Sequence, residues 1–287
     1  MTRLNSIALA ALAMLASGPA LATPEGAGKP VDAGTGFQTP VTPVMENILW
    51  LDNFLHIIMA IIVIFVTALL LIVIFKFGRK KNPTPATWTH NTTLEVAWTA
   101  IPVLILVVIA VPSLRLLFQQ LDVPPADLTI KVTGKQWAWE YEYPDEKISF
   151  EAYMIGGGKA EIDDEVRAEL KEAGYNEDEF LLATDTRVVV PVNAVVHVLV
   201  TATDVIHAWT IPSFGSKIDA MPGRINETWF KATEIGTYFG QCSELCGKDH
   251  SYMPIVVEVV SVEDYDEWVL KQQAESGEAK TRVAEKQ

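Results

Sequence analysis

The chain has 287 residues, 49% of them hydrophobic, yet it carries 36 Asp and Glu against 22 Lys and Arg, a formal net charge of −14. The two properties are segregated: the net charge is +2 before Leu121 and −16 from Leu121 onward. Such an excess repels phosphate and excludes a basic nucleic-acid binder; the Val, Ile, Trp and Tyr of the acidic half exclude intrinsic disorder; and two cysteines four residues apart exclude a disulfide-stapled scaffold.

In chain order, residues 1–22 read as an export signal. Arg3 gives the charged start, Ile7 to Ala16 the apolar stretch, and Ala20-Leu21-Ala22 the small-residue cleavage pattern. Residues 23–46, rich in Pro and Gly, are expected to form an irregular arm. A transmembrane hairpin is expected over 47–120, with spans at about 50–75 and 95–117. Asn53 to Phe75 is 23 residues without a formal charge, about 34 Å as a helix, and Val96 to Leu114 is 19, about 28 Å. Lys76, Arg79, Lys80 and Lys81 lie between them, so the bias of basic residues toward the cytoplasm puts that loop inside and both chain ends outside. Pro102 and Pro112 are expected to bend the second span.

Over 121–270 the pattern changes to short β-rich runs: Leu128–Val132, Gln136–Tyr143, Arg187–Val190, Val195–Thr201, Ile225–Phe230, Gly236–Gln241 and Pro254–Val260. They suit an all-β sandwich or barrel. An acidic insertion at about 156–180 holds a helix over Glu161 to Glu172, where Ile162, Val166 and Leu170 recur at helical spacing. Glu263 to Glu275 reads as a closing helix, and 271–287 as a flexible tail. Gly156-Gly157-Gly158-Lys159 is not a phosphate loop, because Ala160 stands where a magnesium-binding Ser or Thr is needed.

The segment Cys242-Ser-Glu244-Leu-Cys246-Gly-Lys-Asp-His250-Ser-Tyr-Met253, with His207 upstream, carries the chemistry. Thiolate, imidazole and thioether are soft and borderline donors that suit copper better than magnesium or calcium. Zinc would use the two Cys and two His but gains little from Met253. A single-copper electron-transfer site needs one cysteine, so the second would be surplus. Two coppers bridged by both thiolates use both cysteines and leave one histidine for each metal. A bare disulfide is the alternative for the cysteine pair outside the cytoplasm. His197, alternating with valines, reads as a structural residue.

QWAWEYEYP, DVIHAWTIPSFGSKIDAMPGRINETWF, GTYFGQCSELCGKDHSYMPIVVEVV and EVAWTAIPVLILVVIAVPSLRLLF together resemble subunit II of haem–copper cytochrome c oxidases, over roughly Asn47 to Trp268. The resemblance implies a two-helix transmembrane hairpin followed by an all-β cupredoxin-like Greek-key barrel. It implies that His207, Cys242, Cys246, His250 and Met253 hold two copper ions. Glu244 looks like the residue that gives copper its backbone carbonyl and gives its carboxylate to a magnesium or manganese shared with subunit I, with Asp219 beside that ion. Trp137 resembles the entry point for electrons from cytochrome c, although Ala138 stands where the family commonly has Tyr. Glu95 resembles the entrance of a proton path. Glu142, Asp145, Asp185 and Asp204 fall in segments matching the family's docking face, where they would steer a basic cytochrome c and make turnover fall with added salt.

The implied setting is a bacterial inner membrane, with subunits I and III as partners and the C-terminal domain on the periplasmic side. The competing function is a membrane-anchored copper chaperone of the Sco type, which also uses C-x3-C and a distant histidine but needs one span and a thioredoxin-like pattern.

Overall fold

The computed structural model describes residues 28–284 except 85, with side chains to 275; the expected export signal lies outside the described residues. The chain divides into two compact units, Glu46–Asp122 and a β unit that joins the segment up to Met45 to everything from Val123.

The first unit holds two long helices, α1 (Pro43–Lys76) and α2 (Thr92–Leu121). The helix α1 begins earlier than the arm expected over 23–46 allows. Pro43 takes the first helical position, where its fixed φ and missing N–H cost nothing. Thr42 Oγ1 accepts from Met45 N at 3.0 Å as its cap and donates to the Phe214 carbonyl at 2.8 Å. Asn91 Oδ1 caps α2 through Leu94 N at 3.2 Å. Asn47 Nδ2 donates to Gln119 Oε1 at 2.9 Å, which joins the start of α1 to the end of α2 and makes the pair antiparallel. The helix α2 is continuous through Pro102 and Pro112. The most apolar windows of both helices have no buried residue within the chain, so the apolar surface of Ile61, Phe65, Leu104 and Val107 needs a bilayer or partner helices to cover it.

The second unit has ten strands: β1 (Leu128–Lys135), β2 (Ala138–Tyr143), β3 (Ile148–Ala152), β4 (Val188–Pro191), β5 (Val196–Ala202), β6 (His207–Ile211), β7 (Ser216–Ala220), β8 (Asn226–Phe230), β9 (Gly236–Gln241) and β10 (Pro254–Val260). They form a five-stranded sheet in the order β3-β2-β1-β5-β8, a three-stranded sheet β4-β10-β9 and a β6-β7 ribbon. The parallel β1–β5 and β4–β10 pairs are the long-range crossings that turn a string of hairpins into a cupredoxin-like Greek-key barrel. Burial alternates along β5, where Val196, Val198, Val200 and Ala202 face the core. His197 points the other way and meets Glu227 at 3.0 Å, the structural role expected for it. One apolar core joins both sheets, with Val132 and Val198 from one and Val190, Ile255 and Val257 from the other.

Three strands lack an expectation from sequence. β3 and β7 do alternate in burial, with Ile148, Phe150 and Ala152 and with Ser216, Ile218 and Ala220 turned inward, but each is only five residues long and mixes small and polar residues, a weak strand signal. β6 and β7 are joined through Pro212–Phe214, a 3-10 turn closed by Gly215 at φ +67°, whose Pro and Gly read as an irregular loop.

In the insertion the helix is α3 (Asp164–Glu172), three residues shorter than expected, because Asp163 Oδ1 accepts from Val166 N at 2.9 Å and starts it there. Val166 and Leu170 are buried with Ile155, Tyr175, Phe239 and Val256 in a second small core. The last helix, α4, runs Val262–Ala284, so 271–284 is helix rather than a loose tail. Ser261 caps it through Asp264 N at 3.1 Å, and the Ala, Glu, Lys and Arg beyond Glu275 are good helix formers.

Candidate metal centre

The centre lies where β6 starts and β9 gives way to the loop before β10. Cys242 and Cys246 are free, buried thiols with their sulfurs 3.9 Å apart. Each faces a different histidine: Cys242 Sγ lies 3.9 Å from His207 Nδ1, and Cys246 Sγ lies 3.6 Å from His250 Nδ1. Met253 Sδ is 3.5 Å from Cys246 Sγ, and the Glu244 carbonyl is 3.3 Å from Cys242 Sγ. Donors on one metal at about 2.0–2.3 Å in a tetrahedral arrangement stand about 3.3–3.8 Å apart. The observed separations of 3.5 to 3.9 Å match that, so these side chains fit soft-metal coordination as they stand. His207, Cys242 and Cys246 together form a buried cluster able to hold a metal ion.

Asp204 fixes the orientation of His207. Its Oδ1 accepts from His207 Nε2 at 2.9 Å and from Val205 N at 2.6 Å, and its Oδ2 accepts from Gln136 N at 2.7 Å. With the Nε2 proton given to the carboxylate, the Nδ1 lone pair is left facing Cys242. Burial works against the Asp204 charge, but these bonds outweigh it and hold the carboxyl below its usual range. Burial likewise lowers His207, and Cys242 and Asp204 more than reverse it, leaving the imidazole raised. The thiols diverge. Burial would raise Cys242, but His207 and nearby backbone groups hold it down at about 7. Cys246 is pushed up to about 12, by burial first and then by the neighbouring Cys242.

The β1–β2 connection frames the centre without contributing a donor. A Cβ on Gly134 would stand 2.8 Å from His207 Cδ2, so only glycine lets the imidazole in. Gln136 Nε2 and Trp137 Nε1 donate to the Cys246 carbonyl at 2.8 and 3.3 Å. Trp139, fully buried, donates to the Met253 carbonyl at 3.2 Å and packs edge-on to His207 with centroids 5.9 Å apart. Gly247, at φ +128°, lets Trp137 close on the loop, since a Cβ there would stand 2.9 Å from the indole. Gly134, Gln136 and Gly247 have no site role in the sequence-based expectations. A lone glycine closing the β1 run was the only available signal for the first of them.

The other sequence-predicted residues are dispersed. Glu244 turns its carbonyl to Cys242 while the residue is exposed. Asp219 is exposed on β7, its backbone paired with Ala208 next to His207. Asp185 exchanges bonds with Tyr153, which follows the end of β3 that pairs beside Trp139. Glu142 is held by Lys131 at 2.5 Å. Asp145 lies in the turn after β2, beyond the end of the strand that is roughly 20 Å from Trp137 at ~3.3 Å per residue. Glu95 sits in the first turn of α2 with Trp98 exposed one turn on.

Fold and site define a membrane-inserted protein whose β domain brings together Cys, His and Met side chains able to hold a metal ion. The family descriptions that match are "Cytochrome C oxidase subunit II, transmembrane domain" over residues 30–116 and "Cytochrome C oxidase subunit II, periplasmic domain" over 128–260. Cytochrome c oxidase subunit 2 of Cereibacter sphaeroides is 53% identical, with 96% of this chain and 93% of that one covered. A probable cytochrome c oxidase subunit 2 of Rickettsia bellii is 48% identical over 85% of this chain and 86% of its own. The crystal structure of the periplasmic domain of subunit II of cytochrome oxidase of Bradyrhizobium japonicum is similar over 54% of this chain and 99% of its own, at 48% identity and a TM-score of 0.45. The chain belongs to the cytochrome c oxidase subunit II family. It is thereby a subunit of a haem–copper oxidase complex, which decides against the chaperone alternative.

Proposed function

We propose that this chain admits electrons from cytochrome c at a binuclear copper centre and passes them to haem in subunit I, where oxygen is reduced to water with coupled proton pumping. The observation that carries this reading is the pair of buried thiols 3.9 Å apart, each faced by the Nδ1 of a different histidine. Two coppers sharing both sulfurs would supply a one-electron carrier there. His207, Cys242, Cys246, His250 and Met253 hold them by side chain, and Glu244 by its carbonyl. The exposed Glu244 carboxylate, with Asp219 nearby, would help hold a magnesium or manganese shared with subunit I.

The residues around the metals keep the cage rigid. Asp204 fixes the His207 ring, and Trp139 and Gln136 fix the Met253 and Cys246 carbonyls. A donor group constrained in this way cannot follow a change in metal charge, and that keeps reorganisation on electron transfer small. Trp137 is the electron entry, since its indole N–H reaches the carbonyl of a ligand cysteine. Glu95 marks the proton-path entrance at the inner end of α2. Asp185 and the other acids draw a basic cytochrome c toward this face, with Asp145 acting only at long range.

The hairpin crosses a bacterial inner membrane twice, after removal of the export signal, with subunits I and III around it and the barrel in the periplasm. Copper content and the electron paramagnetic resonance spectrum of the purified chain test the reading. Two coppers with a delocalised mixed-valence signal are expected; one copper, zinc or a disulfide refutes it.

A further inference from the structure

A recess of about 200 Å³ opens on the barrel beside Trp137. Tyr153, Tyr252 and Asp249 line it together with Gly157 and Gly158 of the acidic insertion. The insertion is thus part of the surface that flanks the electron-entry tryptophan.

Three consecutive glycines there have positive φ: Gly156 at +86°, Gly157 at +59° and Gly158 at +82°. They differ in what surrounds them. A Cβ on Gly156 would press on Val166 at 3.1 Å, so that glycine serves the second core. Gly157 and Gly158 have nothing within 4 Å of a Cβ, so their bare backbone faces open space. The loop is nonetheless fixed. Gly156 N donates to Glu169 Oε2 of α3 at 3.1 Å, and α3 is anchored by buried Val166 and Leu170. Arg187 ties the end of the insertion to the barrel, donating to the Ala173 carbonyl and to Tyr175 Oη while pairing with Glu258 at 3.3 Å. The result is an anchored stretch of wall without side chains, in a recess shared with exposed Tyr153 and half-buried Trp137 and Tyr252.

The charge around this wall favours one class of visitor. Residues 156–180 carry nine acids and three bases, a net −6. Asp249 lies at the recess, and Tyr153 contacts both Asp185 and Glu151. The local cations are Lys248 over the Trp137 ring, Lys135 on Glu151, and Lys159 after Gly158, which is paired with Asp163 and Glu165.

We propose that the insertion is a docking element for the electron donor: the recess between Gly157-Gly158 and the Trp137–Tyr252 rim receives an apolar edge of a basic cytochrome c, and the acidic insertion attracts its basic surround. The inference rests on the reading of Trp137 as the point of electron entry.

The test uses the purified oxidase complex carrying Gly157→Asn. Asparagine tolerates φ near +57°, so it keeps the loop and adds a side chain to the recess. Turnover is measured with a basic soluble cytochrome c and, separately, with the small reductant tetramethyl-p-phenylenediamine. The expected result is a KM for cytochrome c raised on the order of tenfold, with the rate from the small reductant and the paramagnetic spectrum of the centre unchanged. Glu169→Ala, which frees the loop rather than filling the recess, raises the same KM; Glu169→Gln, which keeps the acceptor, restores most of it. An unchanged KM in Gly157→Asn overturns the proposal, as does an equal fall with both donors. Trp137→Phe separates the two readings. If it leaves cytochrome c turnover intact, the entry point itself is wrong; if it slows turnover while Gly157→Asn is normal, only the docking role of the insertion fails.

Discussion

Replacing Asp204 by asparagine preserves the shape of the side chain and removes one charge. The carboxylate accepts three hydrogen bonds, from Gln136 N, Val205 N and His207 Nε2. The amide has a single acceptor oxygen. Turned to serve Val205 and His207, it puts N–H₂ against Gln136 N–H; turned the other way, it abandons the imidazole. Hydrogen bonds to a charged group contribute about 1.5–3 kcal/mol each, so one lost and two weakened cost about 2–4 kcal/mol. Asp204 is 30% exposed, and solvent screening favours the lower end of that range.

Loss of the group that orients a ligating histidine lowers metal affinity on the order of 10- to 100-fold. The assay is copper retention by the purified oxidase during titration with a chelator, read with the hyperfine pattern of the paramagnetic signal. Removing a negative charge beside the centre also disfavours the more positive oxidised state, so its reduction potential rises. Unchanged copper retention together with an unchanged potential would refute the orienting role. A docking acid alone would raise the KM for cytochrome c and leave both readouts still.

Gly134→Ala places a methyl 2.8 Å from His207 Cδ2 and 3.0 Å from Cγ, an overpacking that costs about 1–3 kcal/mol; a lower thermal midpoint with partial copper loss is expected, and full copper occupancy at an unchanged midpoint contradicts it. Thr42→Val removes the α1 cap and the bond to the Phe214 carbonyl, a loss of about 1–2 kcal/mol; faster hydrogen exchange at Met45 N is the readout, and an unaltered rate there speaks against the cap. Arg187→Met removes the donors to Tyr175 Oη and the Ala173 carbonyl while keeping an apolar stem. Limited proteolysis should then cut within 156–180 well before it cuts the barrel, and simultaneous cleavage of both would show that the clamp does not hold the insertion.

How legible this molecule was in its sequence depended on how local each signal is. The spans rest on runs of uncharged residues; Gly236–Gln241 and Pro254–Val260 are compact runs of strand-forming residues, and the observed strands have those same bounds. The candidate cluster was legible because four of its five side chains share one short loop, and Cys242, Cys246, His250 and Met253 do converge. The start of α1 was misplaced because Pro43 belongs equally to an arm and to the first position of a helix. Only the long-range contact of Thr42 with Phe214 distinguishes the two. The same limit hid the frame of the metal centre. Asp204 looked like a surface acid, and its bond to His207 is local, but its third partner, Gln136, is 68 residues away. Gly134 and Gly247 matter only for the ring each admits, and no single-chain pattern records that.

The stretch from Gly134 to Trp139 reaches both segments that carry the candidate ligands and supplies none itself. It clears room for His207, holds the Cys246 carbonyl twice and the Met253 carbonyl once, and meets Asp204 by its backbone. Portability of the centre is therefore limited. A graft of Cys242 to Met253 onto a foreign barrel would carry the thiols, the imidazole and the thioether and leave behind the scaffolding that fixes their angles. Such a chimera would still capture metal, but with heterogeneous spectra and sluggish transfer. Moving residues 134–139 together with the loop is the smaller transplant that should behave as a unit.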